Sequence, residues 1–190
     1  LKLHLLDEVY PMGDEVVLIY EATGRVCRPG GLPIEQGVIV FNVETIYNVY
    51  QAMESQKPVT EKYVSVVAEV EHPVTVKVPL GCTLDEVVAQ AGNITTKDPV
   101  YFVGGPMMGR AVYSDAFPII KNNNAILAFD GPQALIPEET GCIKCGRCHG
   151  ACPFKLLPVS FAEAYENKDV ERLQALEVMQ CMECGSCSYI

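Results

Sequence analysis

The chain has 190 residues, enough for one or two domains and a sizeable core, and its 49% hydrophobic and 20% charged content is neither disordered nor fibrous in character. Its 14 basic against 24 acidic residues, a net charge of -10 with no Lys/Arg-rich run, exclude nucleic acid as a partner. No apolar stretch approaches the roughly 20 residues that cross a bilayer, so membrane association would run through a protein partner.

Leu1-Lys2-Leu3-His4-Leu5-Leu6 is an apolar alternation that reads as starting inside a domain. In Tyr10-Pro11-Met12-Gly13-Asp14-Glu15, Pro11 and Gly13 break regular structure. The two carboxylates then precede Val16-Val17-Leu18-Ile19-Tyr20, which predicts a capped helix with an acidic first turn. Gly24 to Gly37, with Arg28-Pro29-Gly30-Gly31-Leu32-Pro33 in its middle, is a loop. Val38-Ile39-Val40-Phe41 predicts a buried strand, and Thr45 to Ser55 a helix with Ile46, Val49, Tyr50 and Met53 on one face. Asn42, Glu44 and Thr45 lie where a strand, a turn and a helix meet, the place at which α/β proteins hold ligands. Asn and Thr before a helix are nonetheless caps more often than ligand contacts.

Pro58 closes that helix. Tyr63 to Val70 and Pro73 to Val78 alternate with period two, predicting two strands. Thr83, three residues ahead of Glu86, reads as a capping box for a helix that runs to about Ala91 and stops at Gly92. Tyr101-Phe102-Val103 is a further strand, and together these make a β-grasp-like module. Gly104-Gly105-Pro106-Met107-Met108-Gly109 matches neither dinucleotide nor Walker phosphate loops and reads as a tight turn whose methionines cover an apolar edge. Asn122-Asn123-Asn124 is a turn, Ala125 to Phe129 a strand, and Asp130 to Glu139 a linker.

Seven of the nine cysteines fall in the last quarter. Cys142, Cys145, Cys148 and Cys152, followed by Pro153, form C-x-x-C-x-x-C-x-x-x-C-P, the bacterial ferredoxin ligand run. Cys181, Cys184 and Cys187 begin a second copy whose fourth cysteine would be residue 191, so the chain is expected to be a fragment of a longer protein. A cubane cluster needs four converging thiolates, and a tight loop with a cysteine at every third position supplies three. In two-cluster ferredoxins the fourth cysteine of each run serves the other cluster, so Cys152 is expected to join Cys181, Cys184 and Cys187 in one complete set. The set of Cys142, Cys145 and Cys148 then lacks its distant ligand, so at most one cluster is fully ligated within these residues. Structural zinc uses paired C-x-x-C units with four ligands in all, and it has no use for a third evenly spaced cysteine or the Cys-Pro ending. Nothing reads as a secretory signal, which disfavours disulfides. Cys27 and Cys82 stand alone as buried thiols. Leu156 to Gln180, between the runs, has apolar spacings for two short helices meeting near Asn167-Lys168-Asp169. Lys144 and Arg147 place positive charge beside the first triad, where it would shift a cluster's potential.

On Tyr10 to Glu15, Pro29-Gly30-Gly31-Leu32-Pro33, Asn42-Val43-Glu44-Thr45, Gly104 to Gly109 and both cysteine runs, the whole chain resembles the RnfC family of the Rnf electron-transport complex and its relative, the cobalamin-reducing flavoprotein PduS. That family is similar to the flavin and NADH-binding component of respiratory complex I. By that resemblance Gly13, Asp14, Glu15 and Asn42 would line the flavin or nicotinamide site, Asp14 standing where the family has Glu.

The implied fold is α/β (α+β). Residues 1–62 would be the tail of a flavin/NADH-binding α/β domain and 63–112 a β-grasp module of the soluble-ligand-binding (SLBB) type. Residues 113–137 would be strand and linker, and 138–190 a truncated α-helical dicluster ferredoxin domain. The implied function of the intact protein is electron passage between NAD(H), FMN and two 4Fe-4S clusters in an ion-motive ferredoxin:NAD oxidoreductase, the segment alone being inactive. Its partners would be membrane-embedded Rnf subunits, with ferredoxin or NADH as redox partners, and its place the cytoplasmic side of the bacterial membrane as a peripheral component. The alternatives are a PduS-like cobalamin reductase and, without enzymatic activity, a ligand- or partner-binding module stapled by a structural metal.

Overall fold

The structure, a computed structural model of the chain, describes residues 2–136 and 138–190, and only the backbone of Gln133. Leu1 of the opening alternation and Pro137 of the expected linker lie outside the described residues. The chain forms two compact units that do not follow chain order, Asn42–Glu139 and Leu1–Phe41 with Thr140–Ile190.

Helix α1 (Glu15–Thr23) belongs to the second of these, and the first begins with α2 (Val43–Ser55). The strands β1 (Glu61–Ala68), β2 (Val74–Pro79), β3 (Pro99–Val103), β4 (Arg110–Val112) and β5 (Ala125–Asp130) follow, with the short helix α3 (Leu84–Val88) between β2 and β3. They form one sheet in the order β2-β1-β5-β3-β4. β1 runs antiparallel to β2, with Val64 opposite Val76, and parallel to β5, with Val66 opposite Ile126. β3 runs antiparallel to both β5 and β4. A hairpin, a helix and a parallel central pair make a β-grasp sheet.

Alternation on β1 puts Val64 and Val66 inward, where they pack with Leu84, Val87, Ile119 and Ile126. Each such side chain contributes roughly 1.5–3 kcal/mol by leaving water. Thr83 and Glu86 make the expected capping box, which starts α3 so that Leu84 and Val87 face this core. The Gly104–Gly109 segment is the expected tight turn. A Cβ on Gly109 would stand 2.5 Å from the Gly105 carbonyl oxygen, so the chain closes there only without a side chain. Met107 is half-buried, but Met108 is exposed rather than covering an apolar edge.

Several expectations differ from the structure. Val38 to Phe41 is not a strand: Ile39 and Phe41 are exposed, and among the described residues no neighbouring strand offers a ladder. An apolar run of four has strand composition, but without a hydrogen-bonding partner it stays irregular. α2 has its predicted periodicity, yet Ile46, Val49, Tyr50 and Met53 are all exposed. β5, expected to lie beyond the module, is its central strand, a pairing across more than fifty positions that local periodicity does not carry. Residues 42–62 lie in the same compact unit as the sheet. There Glu44 accepts from Tyr63 N at 3.0 Å and pairs with Lys62.

In the other unit, α1 (Glu15–Thr23) starts at Asp14 and buries Ile19. Its last turn leads into the loop, where the Arg25 guanidinium donates to the Gln36 carbonyl oxygen at 2.5 Å. The cysteine segment holds α4 (Arg147–Ala151), α5 (Pro158–Glu166), α6 (Val170–Ala175) and α7 (Ser186–Tyr189). α5 packs on α6 as the two expected short helices, and α4 packs on α7. That last contact brings the two cysteine runs together.

Candidate metal centre

The two runs fold as conformational repeats. The residue before each middle cysteine is left-handed, Lys144 at φ 56° and Glu183 at φ 56°. The glycine after it is left-handed too, Gly146 at φ 77° and Gly185 at φ 80°. A helix then begins at once, with Cys148 and Cys187 as its second residue. Glycine takes a positive φ without steric cost, which is what lets each loop reverse directly into its helix. The reversal turns a backbone N–H onto the first sulfur of each run. Lys144 N donates to Cys142 Sγ at 3.3 Å and Glu183 N to Cys181 Sγ at 3.4 Å. Such donors favour a sulfur that carries negative charge.

Cys152, Cys181, Cys184 and Cys187 all line one cavity of about 250 Å³, whose remaining wall is mainly Pro153, Phe154, Leu156, Phe161 and Met182. Cys184 is 9% exposed. The donor set is thus four thiols around an apolar space with a backbone N–H already bonded to one of them, which suits an iron–sulfur cluster. The thiols line the space without converging: among the described residues, no three His, Cys, Asp or Glu side chains stand ready to hold a single metal ion. Cys142 and Cys145 are exposed and Cys148 is half-buried, and none of the three lines that cavity.

Three further contacts brace the site. The Tyr10 hydroxyl donates to the Cys184 carbonyl oxygen at 2.6 Å. Burial first, then the neighbouring Cys184 and Asp14, push the Tyr10 phenol above its usual value, so its proton stays available to donate. His149 Nδ1 lies 3.0 Å from the Leu156 carbonyl oxygen, which requires the proton on Nδ1. Lys155 Nζ donates to the Gly150 carbonyl oxygen at 2.8 Å. Sequence reading misses the role of Tyr10, whose partner is 174 positions away. It also misses the wall residues, because no spacing rule links them to the thiols.

A larger cavity of about 610 Å³ lies beside α1 and the Arg28–Gly31 loop, and it shares Pro153, Phe154, Cys181 and Met182 with the first. Cys181 therefore borders both spaces. Cys27, expected to be a buried thiol, is half-buried and opens into this larger cavity, while Cys82 is half-buried against the core of the sheet unit. Burial, with the nearby Glu86 carboxylate, pushes the Cys82 thiol up.

Of the residues carried over for the flavin site, Asp14 and Asn42 act locally as caps. Asp14 accepts from Val16 N at 3.0 Å at the start of α1, with Gly13 open on its side-chain face and Glu15 in the first turn. Asn42 accepts from Glu44 N at 2.8 Å at the start of α2 in the sheet unit. Burial pushes the Glu44 carboxyl up, but the Lys62 ammonium and the Tyr63 N–H outweigh it and hold the group below its ordinary value.

Comparison with known proteins finds three parts in chain order, the first of which extends into α2 of the sheet unit. Three family models match: the Nuo51 FMN-binding domain over residues 1–51, the SLBB domain over 63–111, and the 4Fe-4S dicluster domain over 134–190. Over 169 residues the chain is 40% identical to the cobalamin reductase PduS of Citrobacter freundii, covering 83% of this chain and 38% of that protein. It is 33% identical over 164 residues to the RnfC-type component of the Na+-translocating ferredoxin:NAD+ oxidoreductase complex of Acetobacterium woodii, covering 86% and 37%. To the corresponding component of the ion-translocating oxidoreductase complex of Rhodobacter capsulatus it is 31% identical over 171 residues, covering 90% and 33%. The chain thus spans less than two fifths of the length of these relatives. With FMN-binding, SLBB and dicluster models in that order, and relatives of both kinds aligned over most of its residues, the chain belongs to the RnfC/PduS family.

Proposed function

We propose that this chain is the electron-transfer segment of a flavin-dependent oxidoreductase. In the intact protein, Cys142, Cys145, Cys148, Cys152, Cys181, Cys184 and Cys187 hold two 4Fe-4S clusters, and electrons pass between them, FMN and NAD(H). The observation that carries this reading is that Cys152 lines the same cavity as Cys181, Cys184 and Cys187. Bound clusters would supply one-electron storage and release. The protein's part is to hold thiolates, to stabilise their charge through the Lys144 and Glu183 N–H groups, and to keep water out with the Pro153, Phe154 and Phe161 wall. Gly13, Asp14 and Glu15 at the start of α1, and Asn42 at the start of α2, contribute to flavin or nicotinamide binding by family resemblance.

Among the described residues no helix is long and apolar enough to cross a membrane. Relatives are named as parts of ion-translocating complexes. We therefore read the intact protein as a peripheral component on the cytoplasmic face, held by membrane-embedded partners and exchanging electrons with ferredoxin or NADH. Cobalamin reduction is the second reading, favoured by the 40% identity to PduS against 33% and 31% to the ion-translocating relatives.

Anaerobic reconstitution with iron and sulfide, followed by metal analysis, tests the common core of both readings. Stoichiometric zinc without iron would defeat it. Comparing cobalamin reduction with ferredoxin-dependent NAD+ reduction, the latter with the membrane partners present, separates the two.

A further inference from the structure

The two cysteine loops share a backbone but not a charge. Matching φ values, matching N–H to sulfur bonds and matching helix starts give the sulfurs of each run nearly the same peptide dipoles. What distinguishes the loops is their side chains. The left-handed position holds Lys144 in the first and Glu183 in the second, and the first helical position holds Arg147 in one and Ser186 in the other. Lys155, whose backbone N–H donates to the Cys152 carbonyl oxygen at 3.1 Å and whose ammonium donates to the Gly150 carbonyl oxygen, lies between the two runs and does not distinguish them. On the second side Glu183 itself lines the cavity, whose remaining wall is mainly apolar apart from Ser188, and the Cys184 thiol donates to the Ser186 hydroxyl at 3.4 Å. Reduction adds negative charge to a cluster, so nearby cations favour the reduced form, while a carboxylate and an apolar surround disfavour it.

We propose that Lys144 and Glu183, at equivalent positions of the two loops, set the order in which the two sites are reduced. The site built on Cys142, Cys145 and Cys148 has the higher midpoint potential and fills first. The site built on Cys152, Cys181, Cys184 and Cys187 has the lower midpoint and donates to it. This rests on the reading above that both sites hold clusters. Passage between them moves a single electron: the second site is oxidised by one, the first is reduced by one, and no proton or ligand bond changes. Both residues act through charge and are positioning residues rather than ligands.

The test is a potentiometric titration of the full-length reconstituted protein, followed by electron paramagnetic resonance. Lys144→Glu is expected to lower the higher of two midpoints and leave the other in place. Glu183→Lys is expected to raise the lower midpoint alone, and the double exchange to bring the two together or invert them. Lys144→Arg and Glu183→Asp, which keep the charge, should restore the wild-type values, a rescue that a merely structural role would not give. If a reversal variant fails to load, Lys144→Gln and Glu183→Gln should shift the same midpoints in the same directions by less. Unmoved midpoints in variants of wild-type iron content, or movement of the lower midpoint by Lys144→Glu, overturn the inference. Wild-type protein that takes up no iron at all defeats instead the reading it rests on.

Discussion

The Tyr10 hydroxyl is bonded to the Cys184 carbonyl oxygen at 2.6 Å, tying the turn before α1 to the middle cysteine of the second run. Cys184 is nearly buried, so its carbonyl would lose that donor without water freely replacing it. Tyr10→Phe removes the donor and keeps the ring. It is expected to lower stability by about 0.5–1.5 kcal/mol, the net value of one such hydrogen bond. Urea denaturation of the chain checks this, and an unchanged midpoint would mean that the bond contributes nothing.

The start of α1 separates a structural from a ligand-binding role. Asp14 Oδ1 satisfies the Val16 N–H, so Asp14→Ala should cost about 0.5–2 kcal/mol, as lost N-caps do. Asn caps a helix about as well as Asp, so Asp14→Asn should keep nearly all of that stability while removing the charge. In the full-length protein, flavin content measured on Asp14→Asn then reads the charge alone. A drop in bound flavin at unchanged stability gives Asp14 a ligand role, and no drop leaves it a cap.

How much of this is legible in the sequence depends on range. The caps at Asp14, Asn42 and Thr83, the two helices between the cysteine runs and the tight turn at Gly109 all follow from residues within a few positions of one another, and each forms as expected. The cysteine runs are legible because the spacing itself is the chemistry. Val38 to Phe41 misleads because strand composition does not supply a pairing partner. β5 falls outside the sheet on local pattern because its partner β1 is distant in sequence, and the Tyr10 contact is invisible for the same reason. The matched left-handed residues at Lys144 and Glu183 have no compositional mark, since neither residue type favours that conformation.

Glu61 gives the sheet unit a defined acid response. The Lys57 ammonium first and Lys77 next, the latter at 2.8 Å, hold its carboxyl down to about 2 against an ordinary 4.5. A carboxyl whose folded value is depressed binds its proton less readily folded than unfolded. Its contribution is therefore present above about pH 4.5 and is lost as pH falls toward 2. Glu61→Gln should flatten the fall in stability across that window, and high salt should do the same to the wild type, because the group is exposed and screened. Thermal unfolding at pH 5 and pH 3, with and without the substitution, checks this. Equal losses in both proteins would count against the pairing.

Cys152 stands at the end of the first run but on the wall of the cavity that Cys181, Cys184 and Cys187 share. If thiol position decides ligation, Cys152→Ser in the full-length reconstituted protein should remove the second site's cluster, about half of the iron. The resonance whose midpoint responds to Lys144→Glu should survive, and the one that responds to Glu183→Lys should vanish. Cys82→Ser, in the core-facing turn of the sheet unit, should leave both signals intact. Iron analysis with electron paramagnetic resonance reads all three. Loss of the Lys144-sensitive signal instead would mean that each run keeps its own fourth cysteine, and the crossing of ligands between the two loops would be wrong.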